Sequence, residues 1–301
     1  MSYKSHLLSN YKQLYKVKKM LEIVDDNYFT IKIINGKSID ENTISIVMTA
    51  CNRSVQTYYT LDTINQSSYK NVQIIIVDDS TSDPILIKQL EKYDLHIELI
   101  NIKNKFWVNP CVNYNIGFKH IRGGKVIIQN AEVCYIKGDV LSYVANVVKD
   151  NEYHSFDIYA LDNIKENELL YKNHDITNLK GTWYQHPIHR NAYFHFLVGM
   201  TITTFNKIKG FDIDYAIGVD YDDNALVYQV KNNNINMINV QNSCLGVHQW
   251  HAQTNCGSQS NKISNNHLFN IKCGYYETHR IFLDLTSFPE DVISCIINNI
   301  F

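Results

Sequence analysis

The sequence predicts an α/β protein with a mostly parallel central sheet flanked by helices. Strand-like and helix-like segments alternate four times between residues 44 and 150, and this order is typical of parallel strands joined by right-handed crossovers. The segment 72–77 is apolar at every position but one, as in a strand covered on both faces. A chain of 301 residues suffices for one large domain or two small ones.

Apolar spacing and turn residues define the remaining elements. Residues 1–25 have helical spacing, and a helix packed on the main domain is favoured over a membrane-surface or partner helix. The main strands are predicted at 29–34, 44–48, 72–77, 97–100 and 126–129, with helices opening at Ser54, Asp83, Pro110 and Gly138. The later elements are one or two strands over 193–205, a helix at 224–231, a strand at 235–240, a helix at 267–283 and an apolar tail from Val292.

Composition excludes several classes of protein. The formal net charge of −2 argues against a nucleic-acid binder, because such affinity comes from Lys and Arg at phosphates. No apolar run approaches the roughly 20 residues of a transmembrane segment, and residues 1–10 lack the apolar core of a signal peptide. The seven cysteines are scattered without a CxxC pair. This pattern predicts free thiols, a cytoplasmic location and no zinc ribbon.

Polar groups follow the first two strands of the predicted main domain. Thr49, Ala50, Asn52 and Arg53 end one strand, and Asp78 with Asp79 ends the next. Ligands bind at the carboxyl ends of strands in parallel sheets, so these residues predict a binding site, although the two aspartates could instead cap a turn. Neither G-x-G-x-x-G nor G-x-x-x-x-G-K-[ST] occurs. A metal is therefore the natural means of neutralising phosphate.

Two segments resemble the family 2 glycosyltransferases, which have the GT-A fold. TACNR at 49–53, a helix ending at Gln66 and IIIVDDSTSD at 74–83 are similar to the start of that family. GFDIDYAIGVDYDDNAL at 210–226 is similar to its G-F-D-E…G…E-D-x-D-L segment. The resemblance spans about 44–251 and implies an N-terminal helical extension at 1–43, a catalytic domain at 44–255 with nucleotide-binding and acceptor halves at 44–132 and 133–255, and a mobile loop with a C-terminal helical segment at 256–301.

The resemblance also assigns candidate site residues. The family's D-x-D metal motif corresponds to Asn130-Ala131-Glu132, which keeps one anionic and one neutral oxygen for a hard ion, Mn²⁺ or Mg²⁺. In related enzymes a later histidine completes the metal shell, and this implies His248, with His251 as second choice. Asn115 matches a donor-facing position near Asn109, and a family arginine is replaced by Tyr114. Trp107 is assigned equally to the core or to a stacking role.

The acidic pair at the end of the resemblance carries the predicted chemistry. An inverting transferase needs a base for the acceptor hydroxyl, and the family pattern implies Asp223, with Asp222 beside it as a catalytic and acceptor-contacting acid. The alternative is that both residues only cap the following helix, whose dipole favours carboxylates there. Trp183 and His186 lie where the family binds acceptors, although a structural role fits them equally well.

The sequence thus predicts an inverting, metal-dependent glycosyltransferase (hexosyltransferase type) that uses a nucleotide sugar, most simply a UDP-sugar, and an acceptor hydroxyl. The donor-binding candidates are Thr49, Ala50, Asn52, Arg53, Asp78, Asp79, Asn109, Asn115 and Asn130. An alternative is an inactive GT-A-like protein that binds nucleotide or glycan, because Asn130 replaces an acid. A sugar-1-phosphate nucleotidyltransferase is the third reading, and it lacks support because no Gly-rich basic loop follows the first strand. The sugar, the acceptor and the oligomeric state are not specified.

Overall fold

The computed structural model describes residues 2–23, 27–252 and 263–301, apart from the side chain of Asn242, and has the predicted mixed α/β architecture. Its strands are β1 Phe29–Ile34, β2 Ile44–Ala50, β3 Val72–Asp78, β4 His96–Ile102, β5 Lys125–Asn130, β6 Val133–Lys137, β7 Glu152–Leu161, β8 Gly181–Gln185, β9 Leu197–Thr201 and β10 Asn236–His248. Its α-helices are α1 Tyr3–Glu22, α2 Ser54–Ile64, α3 Ile87–Leu90, α4 Cys111–Phe118, α5 Val140–Val147, α6 Ile164–Asn173, α7 Ile202–Ile208, α8 Asp222–Asn232, α9 Asn266–His279 and α10 Glu290–Ile300.

One mixed sheet of ten strands organises the molecule, in the order β1-β4-β3-β2-β5-β9-β7-β10-β6, with β8 paired to β7. The strands β4, β3, β2 and β5 are parallel neighbours. Their register sets Ala50 opposite Asp78 and Thr49 opposite Asn130. The predicted binding residues of β2, β3 and β5 therefore meet at one edge, as expected for parallel strands.

Apolar side chains alternate between the two faces of this sheet. Val47 and Ile75 belong to one core cluster and Ile46 and Ile74 to the other, so helices cover both faces. On the first face α4 packs very close to the sheet at Gly117, where an added Cβ would lie 2.7 Å from Val47 Cγ1. The second face is covered by α2 and α5.

The N-terminal residues are built into the main domain. Leu7, Leu14 and Val17 of α1 are fully buried in the first core, which agrees with the packing helix predicted for 1–25. Strand β1 pairs antiparallel with β4 along its whole length and forms one edge of the sheet. The C-terminal helix α10 packs against α1.

Several elements differ from their predicted form. The segment 193–205 contains β9 and then α7, because Thr201 caps a helix by accepting a hydrogen bond from Thr204 N–H. Strand β10 runs to His248 through an irregularity between Val240 and Leu245, and the apolar tail is the helix α10. The predicted mobile loop lies outside the described residues at 256–262. Helix α8 begins two residues earlier than predicted.

The cysteine prediction is wrong at one position, since Cys51 is disulfide-bonded. Free thiols are present at Cys111, Cys134, Cys244, Cys273 and Cys295. Among the described residues, every helix is too short or too polar to cross a bilayer.

Candidate active site

A cavity of about 670 Å³ opens at the carboxyl ends of β2, β3 and β5, a volume typical of small-molecule sites. Its ionisable lining, among the described residues, has five carboxylates and only two permanently cationic side chains. The charged lining residues, together with the three lining histidines, are Arg53, Asp79, Lys105, Glu132, His195, Asp220, Asp222, Asp223, His248 and His251. The excess of carboxylates disfavours an anion such as a nucleoside diphosphate, and further positive charge would offset this repulsion.

Sheet register brings Glu132 and His248 together. Val133 of β6 pairs with His248 of β10, so the residue before β6 lies at the end of β10. The backbone of Gln249 donates to the carbonyl of Glu132 over 3.1 Å, and the buried Gln249 amide donates to the same oxygen over 3.0 Å. The pairing of β6 with β10 and the two bonds from Gln249 thus hold this corner of the cavity in place.

The Glu132 carboxylate is buried within a group of basic side chains. Its Oε1 atom lies 2.5 Å from Arg53 Nη1, 3.2 Å from His248 Nε2 and 3.5 Å from His251 Nε2. Burial raises the pKa of Glu132, but Arg53 and the two imidazoles outweigh that effect and hold it well below its usual range. This carboxylate is therefore ionised at neutral pH.

The same residues fit a divalent metal ion. One ligand atom from each of Glu132, His248 and His251 lies within 4.8 Å of the others. Glu132 Oε2 and Arg53 Nε are buried and have no hydrogen-bond partner among the described residues. Buried polar atoms are normally partnered, so the free carboxylate oxygen is suited to an ion and the free guanidine N–H to an anion beside it.

Asp223 forms a close ion pair with a histidine that the sequence did not point to. Asp223 Oδ1 and His195 Nδ1 are 2.5 Å apart, although the N–H is not aligned with the oxygen as a hydrogen bond. Asp223 is 27% exposed and His195 is 5% exposed, so the carboxylate faces the cavity and the imidazole supports it from behind. Burial lowers the pKa of His195, but Asp223 and Asp222 outweigh this and raise it.

Asp222 occupies a different environment from its neighbour. Its Oδ1 atom accepts a hydrogen bond from the buried Asn109 Nδ2 over 3.0 Å. Burial and the adjacent Asp223 raise its pKa to about 6. The N-cap residue of α8 is Tyr221, which makes no side-chain capping bond. Neither aspartate is the N-cap of α8, but both lie in its first turn, where the helix dipole favours carboxylates.

At the opposite end of the cavity, Asp79 forms an ion pair with Lys105. Thr49, Ala50, Asp79, Asn109 and Asn130 all line the cavity, as does Arg53. The Asn130 Oδ1 atom already accepts a hydrogen bond from Tyr114 Oη over 3.1 Å. Tyr114, which also lines the cavity, is thereby held beside Asn130.

Three predicted donor residues lie outside the cavity lining. Asn52 accepts three backbone N–H bonds from 81–83, and Asp78 accepts N–H bonds from Ser80 and Ile85. Asn115 exchanges two hydrogen bonds with the backbone of Phe211. Each of these side chains shapes a loop beside the cavity.

The predicted acceptor residues Trp183 and His186 pack on each other at 4.3 Å between ring centroids, near but outside the cavity lining. Tyr184, the next residue along β8, does line the cavity and lies edge-on to His248. Trp107 is a core residue, since it is buried and donates to Asn113 Oδ1 over 2.8 Å.

Sequence reasoning missed His195 and Lys105, both of which line the cavity. Neither of them lies in a motif, and their partners are distant in the chain. The one signal that could have drawn attention to His195 is a single histidine within the aromatic run 193–196, just before the apolar strand β9.

The mixed sheet is covered on both faces, as in the GT-A fold, and a metal-fitting cluster and a carboxylate pair lie at the carboxyl ends of its parallel strands. The family model of glycosyl transferase family 2 matches residues 45–209, more than half of the chain. The chain therefore belongs to glycosyl transferase family 2.

No curated protein matches the sequence. Among solved structures, the chain is similar to residues 1–349 of S. aureus TarS in complex with UDP-GlcNAc, with a TM-score of 0.58 and 12% identity over 86% of this chain and 72% of that one. The similarity to a longer crystal structure of TarS has a TM-score of 0.51 and 11% identity over 69% of this chain. This chain covers only 37% of that structure. At these identities the similarity establishes a shared fold.

Proposed function

We propose that the protein transfers a sugar from a UDP-sugar to an acceptor hydroxyl with inversion at the anomeric carbon. The observation that carries the proposal is that one cavity contains both a carboxylate open to solvent, Asp223, and a cluster suited to a metal, Glu132 with His248 and His251. TarS, which shares the fold, is seen with UDP-GlcNAc. That complex supports a uridine nucleotide as the first donor to test.

In this proposal Asp223 is the general base. The acceptor oxygen forms a bond to the anomeric carbon from the face opposite the diphosphate, and Asp223 takes the hydroxyl proton. The bond between that carbon and the diphosphate oxygen breaks, and its electron pair leaves with the nucleoside diphosphate. Asp222, fixed by Asn109, orients the acceptor beside the base. Trp183 and His186 extend the acceptor site beyond the cavity.

Glu132, His248 and His251 would hold the divalent ion. Their two imidazole donors favour a transition-metal ion such as Mn²⁺ over Mg²⁺. When bound, the ion supplies Lewis-acid stabilisation of the charge that develops on the leaving diphosphate. Arg53, with its unpartnered buried Nε, is positioned to bind a phosphate oxygen. Asp79 and Lys105, with Thr49 and Ala50, would receive the nucleoside.

The base assignment predicts the behaviour of Asp223→Asn. We expect this variant to lose on the order of a hundredfold or more in turnover, the usual contribution of a general base, because an amide cannot accept the proton. Binding of UDP with Mn²⁺ should remain close to that of the wild type in calorimetry. Asp291→Asn is the matched control, since Asp291 also lies in the first turn of a helix but lines no part of the cavity.

The measurement is release of nucleoside diphosphate from a panel of UDP-sugars and GDP-mannose, with and without Mn²⁺. Wild-type turnover by Asp223→Asn would exclude Asp223 as the base. Binding of UDP without release from any donor would favour the alternative of a GT-A-like binding protein.

A further inference from the structure

His195 is a buried histidine at the cavity whose role in transfer is not accounted for by donor, acceptor or metal binding. It lies just before β9, and Phe196 beside it accepts a backbone hydrogen bond from Asn130 N–H. This pairing fixes the backbone of 195–196 next to the end of β5. The imidazole then reaches Asp223 at the start of α8, so the contact joins two elements that are distant in the chain.

The surroundings of His195 are mostly aromatic. Tyr114 and Phe211 each present a ring nearly perpendicular to the imidazole, with centroids 4.8 Å away, and Phe196 lies at 6.0 Å. The titratable groups that act on His195 are Asp223 and Asp222 of α8 and, from the end of β5, Glu132; Tyr114 of α4 packs against its ring. A neutral imidazole in this position would leave two adjacent carboxylates without a cation beside them.

We propose that His195 is a positioning residue for the base: its imidazolium pairs with Asp223 and holds the carboxylate towards the acceptor hydroxyl. The proposal rests on the function proposed above, in which Asp223 takes the proton. His195 lines the cavity but its side chain is only 5% exposed, against 27% for Asp223, so Asp223 is the more open of the two to the acceptor. Its contribution is charge and orientation, as for a group that supports a catalytic base from behind.

A charge-removing variant tests this role. His195→Gln keeps an amide donor but has no charge, so the two carboxylates should take up a proton more readily. We expect kcat to fall on the order of ten- to a hundredfold and the acid limb of the pH–rate profile to move to higher pH. The KM for the donor, which does not contact His195 in this proposal, should change little.

His154→Gln is the matched control. His154 is also buried and its Nε2 lies 2.8 Å from Glu152 Oε2, but it lines no part of the cavity. A comparable loss of thermal stability in both variants, with the kcat and pH profile changed only in His195→Gln, would separate positioning from a merely structural role. An unchanged kcat and acid limb in His195→Gln would overturn the proposal.

An NMR titration tests the ion pair without any turnover. The ring signals of His195, identified by their absence in His195→Gln or His195→Asn, should titrate at higher pH than those of a free histidine. In Asp223→Asn the midpoint should fall, because the paired charge is gone. An unchanged midpoint in Asp223→Asn would refute the ion pair. If the wild type released no nucleoside diphosphate from any donor, the proposed function would fail. The NMR titration would still decide whether His195 and Asp223 form an ion pair.

Discussion

Asp222 and Asp223 are adjacent in the chain, yet the fold gives them opposite environments. Asp223 faces the cavity and pairs with His195, whereas Asp222 is buried against Asn109. Burial and the neighbouring carboxylate raise the pKa of Asp222 to about 6. In the unfolded chain this carboxyl ionises near pH 3.8. Between pH 3.8 and about pH 6 the folded protein therefore keeps a proton on Asp222 that the unfolded chain has released. The free energy of unfolding consequently falls as pH rises through this range, and the full reduction is present at neutral pH.

The Asp222→Asn variant should consequently be more stable than the wild type at neutral pH. The amide oxygen can still accept the bond from Asn109, and no charge is buried. We expect the melting temperature at pH 7.5 to rise by a few degrees, and the gain to disappear below about pH 4, where the wild-type carboxyl is protonated in both states. Differential scanning calorimetry over this pH range measures the effect.

Asp139→Asn provides a contrast of opposite sign. Burial raises the pKa of Asp139, but hydrogen bonds from Ser142, Ser67 and Ser68 outweigh it and lower that pKa strongly. Its ionised form stabilises the fold at neutral pH, so Asp139→Asn should lower the melting temperature. Equal shifts in both variants would contradict the assignment of the Asp222 cost to its raised pKa.

At the scale of elements, the sequence predicted the polar residues at the ends of β2 and β3. Thr49–Arg53 and Asp78–Asp79 come at the ends of apolar segments that are readily recognised as strands. The sequence did not predict the His195–Asp223 pair, since the two residues are distant in the chain and meet only in the folded protein. Contacts between distant segments, rather than local propensity, decide this pair. Residues 202–208 are a different case: they are apolar enough for a strand, but a local signal, the side-chain cap of Thr201, begins α7 there.

The segment before α8 is also fixed by distant contacts. Asp220 and Tyr221 both have positive φ, a backbone conformation that is unfavourable for such residues. The buried Asn265 side chain donates to the carbonyls of Tyr215 and Asp220 over 3.1 Å each, and it accepts a bond from Tyr3 Oη over 3.0 Å. The start of α1 and the residue that precedes α9 thus hold the loop that presents the base.

Asn265→Ala should weaken this arrangement. It leaves the buried Tyr3 hydroxyl without its acceptor and removes the amide donor from the carbonyls of Tyr215 and Asp220. We therefore expect the free energy of unfolding to fall by about 1–3 kcal/mol and kcat to fall as the loop relaxes. Urea denaturation and donor turnover measure the two effects. Asn270→Ala on the exposed side of the same helix is the control, and an equal response from it would show that the loop does not depend on Asn265.

At the scale of the whole molecule, the cavity unites the two halves of the chain. Arg53 comes from the end of β2, Glu132 from the turn between β5 and β6, and His248 from the end of β10. A ligand that binds Glu132 and both histidines therefore binds only the folded arrangement of the sheet. Such binding stabilises the folded chain according to ligand concentration.

Mn²⁺ should accordingly raise the melting temperature of the wild type, and EDTA should reverse the rise. At a free Mn²⁺ concentration a hundred times its dissociation constant, binding would add about 2.7 kcal/mol to the free energy of unfolding. Glu132→Gln should be less stable at the outset, because the buried Arg53 loses its charged partner, and its melting temperature should not respond to Mn²⁺. If Mn²⁺ raised the melting temperature of Glu132→Gln as much as that of the wild type, the ion would bind elsewhere. The lower starting stability of the variant does not bear on this point. Only the loss of the Mn²⁺-dependent rise assigns the ion to Glu132.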